Sequence, residues 1–341
     1  MTFQSILRGA LFGSTALLAV TSGALAAEVN IYTSREPALV QPLLDAFTAE
    51  TGVQVNTVFL KDGLAERVAA EGASSPADIL MAVDVGNMAD LVDKELTQPI
   101  ESKAVLDAVP ATLRDPGNQW VALSMRARVV YAAKDLELDA ITYEQLADPA
   151  WKGKLCIRSG QHPYNTGLFS AFLSHHGAAE TETWLEGVKA NLARKAGGGD
   201  RDGAKDILGG ICDIAVANSY YVGLMRSGKG GEDQRAWGDA IKVILPTFAD
   251  GGTHVNISGA AVAKHAPNKE EAVKLLEFLV SDEAQKIYGA ANFEYPVKPG
   301  VPLDPIVASF GELKVDPTPL TDIVANRAEA SALVDKVGFD N

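Results

Sequence analysis

Short apolar runs alternate with segments of helical periodicity from residue 28 onward, and this alternation limits the fold more than any other feature. Apolar side chains at helical spacing between Leu39 and Phe47, for example, predict a helix that Gly52 ends. The pattern predicts strands at 29–33, 53–59 and 78–83 and helices at 38–51 and 63–71. Strands and helices in alternation specify an α/β protein, with a mainly parallel sheet covered by helices on both faces.

A second series of elements follows a long apolar segment at 120–133, which predicts a strand that crosses between two lobes. The series comprises a strand at 155–158, helices at 166–176 and 180–192, a strand that ends at Tyr220, a strand at 241–246 and a return strand at 256–263. Asn268 and Glu271 predict a capping box that opens a long helix at 269–288. We assign 28–124 and 260–341 to the first lobe and 125–259 to the second, and we expect a last helix at 321–337 to pack on the first lobe.

The first 27 residues have the pattern of a secretory signal peptide. Arg8 is their only charged residue, an apolar run occupies 10–20, and the small-residue cleavage pattern Ala24-Leu-Ala26 precedes Ala27 and Glu28. No cysteine lies at the cleavage point, and no later stretch approaches the roughly 20 apolar residues of a membrane span. We therefore expect a soluble periplasmic product, monomeric and neither lipid-anchored nor membrane-embedded.

The charge balance of the exported chain is acidic. Loss of Arg8 leaves 29 basic against 44 acidic residues, a net charge of −15 with histidine neutral. Phosphate binding depends on clustered Lys and Arg, so nucleic acid is not an expected partner.

Two cysteines in an exported chain predict one disulfide bond. Cys156 and Cys212 each lie near the start of a predicted strand, and each precedes a tyrosine, Tyr164 or Tyr220, by eight residues. If the two strands are parallel neighbours in similar register, the bond joins their beginnings. The two tyrosines then share the opposite edge of the sheet.

Tyr220 and Tyr221 are adjacent in the chain and are the main candidates for a ligand site. A free phenol ionises only near pH ~10, so paired tyrosines become strong ligands only for a hard, highly charged cation such as ferric ion. Tyrosine pairs are also common in strands because aromatic side chains suit a half-buried pleated surface, so the pair alone leaves both interpretations open. Ligands of open α/β sheets bind outside the carboxyl ends of the strands. The polar residues expected there are Arg35, Glu36, Asp84, Tyr164, Tyr220 and Tyr221.

Charge arithmetic favours iron at such a site. Phenolates from Tyr164 and the tyrosine pair would neutralise a +3 ion, and the Glu36 carboxylate would leave one negative charge. Arg126 or Arg128 could balance that charge or hold a small synergistic anion such as carbonate. Glu36 could equally be a surface carboxylate. The five histidines show no metal-binding spacing.

The chain resembles the periplasmic ferric-ion-binding proteins that feed ABC importers. The resemblance is carried by motifs spread over nearly all of the exported sequence, among them 31–35, 120–130, 218–221 and 294–297. It implies a two-lobed periplasmic binding protein of the type II solute-binding class, with a hinge and an interlobe cleft. It also implies Fe(3+) as the ligand, and an inner-membrane ABC permease with its ATPase as partners.

The resemblance assigns roles to individual residues. The matching positions are Tyr220 and Tyr221 as iron ligands, Tyr164 as the third tyrosine of some members, and Arg126 as the arginine for the anion or for charge balance. Many members carry His or His-Tyr after the first strand, where this chain has Glu36-Pro37. Glu36, an anion or water is therefore expected to complete the metal shell, and Arg35, Glu36 or Arg126 to latch the lobes.

Two other functions stay open. The same fold could bind a small anion or an organic cofactor, such as phosphate or thiamine, with the tyrosines stacking or hydrogen-bonding. Tyr164 beside the pair favours iron, because organic-ligand sites do not need it. An exported hydrolase is disfavoured since the chain has neither a Gly-x-Ser-x-Gly elbow nor a zinc-protease motif, and we do not expect an enzyme.

Overall fold

A computed structural model describes Met1 and residues 27–341, so the predicted signal peptide at 1–27 lies almost wholly outside the described residues. In this part of the chain the strands are β1 (Glu28–Thr33), β2 (Gln54–Phe59), β3 (Ile79–Val83), β4 (Thr97–Gln98), β5 (Val121–Ala133), β6 (Leu155–Cys156), β7 (Ile214–Asn218), β8 (Ile241–Ile244), β9 (Val255–Ala263) and β10 (Tyr295–Pro296). The α-helices are α1 (Pro37–Thr51), α2 (Leu64–Glu71), α3 (Val85–Asp93), α4 (Lys103–Ala108), α5 (Pro163–Ala190), α6 (Asp200–Leu208), α7 (Tyr220–Ser227), α8 (Asp233–Asp239), α9 (Lys269–Leu279), α10 (Asp282–Asn292), α11 (Pro305–Ala308), α12 (Leu320–Ala325) and α13 (Arg327–Lys336). None of the helices in the described ranges is both long and apolar enough to cross a bilayer.

The strands form one mixed sheet in the order β2-β1-β3-β9-β5-β7-β6, with β4 paired to β9 and both β8 and β10 paired to β5. β1 runs parallel to β2 and β3, and β6 runs parallel to β7. β9 is antiparallel to β3 and β5, and β5 is antiparallel to β7. The predicted α/β class is confirmed, and the antiparallel strands lie at the centre of the sheet.

β5 joins the two sets of strands. Its first part, 121–127, pairs with β9, whereas 128–132 pairs with β7 and 130–133 with β8. Every residue of the strand except Ala133 is buried, including the polar residues Ser124, Arg126 and Arg128, which therefore need partners in the interior. The long strand predicted at 120–133 is therefore present, while the boundaries of the two lobes stay a prediction.

The predicted disulfide bond joins Cys156 and Cys212, whose Cα atoms are 5.9 Å apart. β6 and β7 are parallel neighbours, as expected, but Cys156 pairs with Ala215 and is the last residue of β6, so the register is offset and the bond does not join the beginnings of both strands. The bond ties β6 to the segment before β7. Tyr164 and Tyr220 come after the carboxyl ends of β6 and β7.

The helix predicted at 269–288 is two helices, α9 and α10. Ser281 interrupts it by accepting a hydrogen bond from the backbone nitrogen of Ala284, at 3.2 Å, and so caps α10. Asn268 makes no side-chain cap, so the predicted capping box is wrong. The buried carboxylate of Asp78 takes the backbone N–H of Asn268 at 2.6 Å and its side-chain amide at 3.1 Å instead.

The segment after residue 326 packs on α5. Lys336 lies 2.7 Å from Glu182, and the Phe339 ring packs edge-on against Phe169 with centroids 5.5 Å apart. The expectation that this last helical segment packs on the first lobe is therefore wrong for α13, because its apolar face covers a helix assigned to the second lobe.

Candidate metal centre

A cavity of about 280 Å³ lies where β1 and β3 end and α5 and α7 begin. Its lining residues are Ser34, Arg35, Glu36, Leu39, Val83, Tyr164, Tyr220, Tyr221, Leu224 and Asn292. The structure thus brings together all four predicted metal ligands and Arg35. We call this space the tyrosine cavity.

The tyrosine pair opens a helix and does not end a strand. β7 stops at Asn218, Ser219 already has helical backbone angles, and α7 starts at Tyr220. The predicted end of the strand is therefore wrong by two residues. Successive strand residues point to opposite faces, whereas this helical start places the two ring centroids 4.0 Å apart on the same cavity.

Tyr164 enters the cavity from the first turn of α5. The His162 side chain caps that helix, with Nδ1 accepting from the backbone nitrogen of Tyr164 at 3.2 Å. Burial and the Arg158 charge lower the pKa of His162 to about 4, so it is a neutral acceptor at ordinary pH. The guanidinium carbons of Arg158 and Arg126 lie 5.2 and 5.5 Å from the centroid of the Tyr164 ring. Two cations therefore flank this phenol.

The paired phenols are protonated at neutral pH. Burial raises the pKa of Tyr220 well above its usual value, with Tyr164 and Tyr221 acting in the same direction. Burial likewise raises the pKa of Tyr221 to about 12, and Tyr164 and Asp200 add to that effect. A cation that binds these oxygens must displace their protons, which favours a highly charged ion over a weakly charged one.

Arg126 is a buried cation without a carboxylate partner in the described part of the chain. Arg126 is 1% exposed, and its one side-chain hydrogen bond to a described residue is long, 3.4 Å from Nη1 to Ser258 Oγ. Nε and Nη2 have no hydrogen-bond partner among the described residues. Arg128, the other predicted candidate, is paired with Asp200 at 2.6 Å. Arg126 is therefore the arginine whose charge remains to be balanced.

Arg35 is already paired. It donates to Glu294 at 2.9 Å and to Ser258 at 2.7 Å. Burial opposes its charge, but the Glu294 carboxylate outweighs burial and raises the pKa of Arg35. Glu294 and Arg35 both lie in the predicted first lobe, whereas Ser258 lies in the predicted second lobe, so the link of Arg35 to that lobe is its hydrogen bond to Ser258. The sequence did not point to Glu294 as a partner because 259 residues separate the two.

Glu36 and Asp84, the two candidate carboxylates of the predicted first lobe, differ in exposure and in hydrogen bonding. Glu36 is exposed at the start of α1, makes no capping hydrogen bond there and lines the cavity. Asp84 is buried, and its carboxylate accepts from the backbone of Gly86 at 2.9 Å and from Asn256 at 2.8 Å. Val83 lines the cavity in its place. Glu36 is therefore the acidic side chain with free oxygens at the site.

The chain is similar to several known proteins. Residues 32–286 match the model of the family described as bacterial extracellular solute-binding protein. Iron uptake protein A2 of Synechocystis is 37% identical over 99% of this chain and 100% of its own length. The Bordetella ferric binding protein has a similar structure, with a TM-score of 0.90 and 65% identity over 92% of this chain and 100% of its own.

A Trichodesmium protein solved in complex with iron and citrate has a TM-score of 0.87 and is 41% identical, over 92% of this chain and 99% of its own. The resemblance to ferric-ion-binding proteins drawn from the sequence motifs is confirmed by these similarities. The chain belongs to the family of bacterial extracellular solute-binding proteins.

Proposed function

We propose that this protein captures ferric ion in the tyrosine cavity and delivers it to an inner-membrane ABC permease with its ATPase. The observation that carries the proposal is the convergence of Tyr164, Tyr220 and Tyr221 beside the unpaired cation Arg126. The similarity to the iron uptake protein of Synechocystis and the ferric binding protein of Bordetella supports the same ligand.

The proposed ligands are the three phenolates, with Glu36 as a further ligand from the other side of the cavity. Three phenolates neutralise Fe(3+), and oxygen donors suit this hard ion better than softer metals. Tyr220 and Tyr221, whose pKa values are raised, are neutral in the metal-free protein, so the pair does not cluster negative charge before iron binds. The role proposed for Arg126, which is buried beside Tyr164 and does not itself line the cavity, is to hold a small anion such as carbonate or to balance Glu36 once iron is bound.

Transport follows from the fold and the family. Secretion through the predicted signal peptide places the protein in the periplasm, where it acts as a monomer. Closure of the two lobes about a hinge brings Glu36 and Arg35 toward the tyrosines. Binding stabilises the closed form only if iron contacts it better than the open form, so residues from both sides of the cavity should contribute.

Iron titration of purified, metal-stripped protein tests the proposal. Addition of ferric citrate should produce a visible phenolate-to-iron charge-transfer band, and Tyr220→Phe or Tyr221→Phe should weaken iron binding by orders of magnitude. Tyr295→Phe is the matched control because Tyr295 is buried, its hydroxyl has no partner among the described residues, and it does not line the cavity. An unchanged iron affinity in both cavity variants would refute the assignment. A folded wild type without any band would favour phosphate, thiamine or a similar ligand.

A further inference from the structure

Residues 337–341, which follow α13, contact the loop at 159–161 that leads into α5 and Tyr164. The Asp340 carboxylate accepts three hydrogen bonds from this loop, from Ser159 Oγ at 2.5 Å and from the backbone nitrogens of Gly160 at 2.7 Å and Gln161 at 3.4 Å. One side chain more than 170 residues away in sequence thus fixes three consecutive loop residues. Charge-assisted hydrogen bonds of this kind are stronger than neutral ones.

Close packing supports the same contact. A Cβ on Gly160 would lie 2.8 Å from Cδ1 of Phe339 and 2.9 Å from Cγ1 of Val334. Only glycine allows this approach without a shift of the neighbouring side chains. The Gln161 side chain adds two hydrogen bonds to Ser331, accepting from its hydroxyl at 2.7 Å and donating to its carbonyl at 3.0 Å.

Buried side chains hold the loop from its other side. Asn165 donates to the carbonyls of Arg158 and Ser159 at 2.9 and 3.0 Å, and Arg158 pairs with buried Asp200 at 3.2 Å. The loop therefore lies between a buried network and the segment around Asp340, and its direction sets where α5 begins. Tyr164 is the second residue of that helix.

We propose that Asp340 is a positioning residue for Tyr164, which keeps the phenol at the distance that iron binding requires. The inference rests on the proposed function and adds to it a residue outside the tyrosine cavity. Partners that orient a metal ligand typically change metal affinity by about ten- to hundredfold when removed. Asp340→Asn keeps the size of the side chain and removes the charge that attracts the donors of the loop.

Two measurements on the full chain test the proposal. In the first, iron affinity is measured by competition with citrate for the wild type, Asp340→Asn, Tyr164→Phe and the double variant. Asp322→Asn is the matched control, since Asp322 is an exposed aspartate of α12 and makes no side-chain hydrogen bond among the described residues. Asp340→Asn should bind iron about ten- to hundredfold more weakly than wild type. The double variant should bind no more weakly than Tyr164→Phe, because Asp340 acts through Tyr164.

The second measurement needs no iron. Hydrogen exchange of the metal-free protein should be faster in Asp340→Asn at Gly160 and Gln161, and unchanged at β7. Wild-type affinity together with unchanged exchange in Asp340→Asn would overturn the proposal, as would additive losses in the double variant. A wild type that binds no iron would refute the proposed function and the ligand-positioning role with it. If hydrogen exchange in Asp340→Asn were still faster at the loop in that case, Asp340 would stabilise the loop but have no role in iron binding.

Discussion

Arg126→Met is expected to stabilise the metal-free protein, although it removes a fully buried side chain. Two buried nitrogens of Arg126 lack partners among the described residues, and such groups cost about 1–3 kcal/mol each. The variant loses the 3.4 Å contact with Ser258 and the cation–π contact with Tyr164, together about 1–3 kcal/mol. Ser258 keeps its shorter hydrogen bond from Arg35, at 2.7 Å. We expect a net stabilisation of about 1–3 kcal/mol.

Calorimetry of the metal-free protein measures this difference, as a Tm about 2–5 °C above that of wild type. Arg128→Met is the matched control two residues along the same strand, because Arg128 is paired with Asp200 and the change should destabilise the protein by about 3–5 kcal/mol. The iron affinity of Arg126→Met should no longer increase with bicarbonate. A Tm of Arg126→Met well below that of wild type would refute the reasoning, since it would show that the guanidinium is satisfied in solution.

Three further predictions concern the framework around the site. Replacing Cys156 and Cys212 by serine removes a cross-link between residues 56 apart and should cost about 2–5 kcal/mol in urea unfolding, with the position of the iron band unchanged. Gly223→Ala places a Cβ 2.1 Å from Cγ of Phe293, so we expect about 1–3 kcal/mol of destabilisation in thermal melts and weaker iron binding as α7 shifts. Tyr221 has a folded-state pKa of about 12 against about 10 when unfolded, so stability should fall as the pH rises between these values, and Tyr221→Phe should reduce that loss.

The sequence predicted the order of strands and helices because their periodicities are local properties. It failed where a distant partner decides the local structure. The capping box at Asn268 is replaced by contacts to Asp78, which is 190 residues away, and no local pattern shows that competition. The packing of α13 on α5 likewise depends on tertiary contacts such as that of Phe339 with Phe169.

The candidate site was predicted to a greater extent than its surroundings. The three tyrosines and Glu36 follow strands or begin helices at one edge of the sheet, and the rule that ligands bind there is general. The residue pattern alone does not decide between Arg126 and Arg128, which lie two positions apart on the same strand, and only the family resemblance selected Arg126. The difference between them depends on Asp200, which begins α6 and pairs with Arg128 but not with Arg126.

Proton release on iron binding tests the central claim most directly. If Tyr164, Tyr220 and Tyr221 become phenolates, each ferric ion should release about three protons from the metal-free protein in bicarbonate-free solution, after correction for the chelator that supplies it. Tyr164→Phe should release about two, and the control Tyr295→Phe about three. A wild type that binds iron without releasing protons, or a Tyr164→Phe variant that releases as many as wild type, would contradict the account.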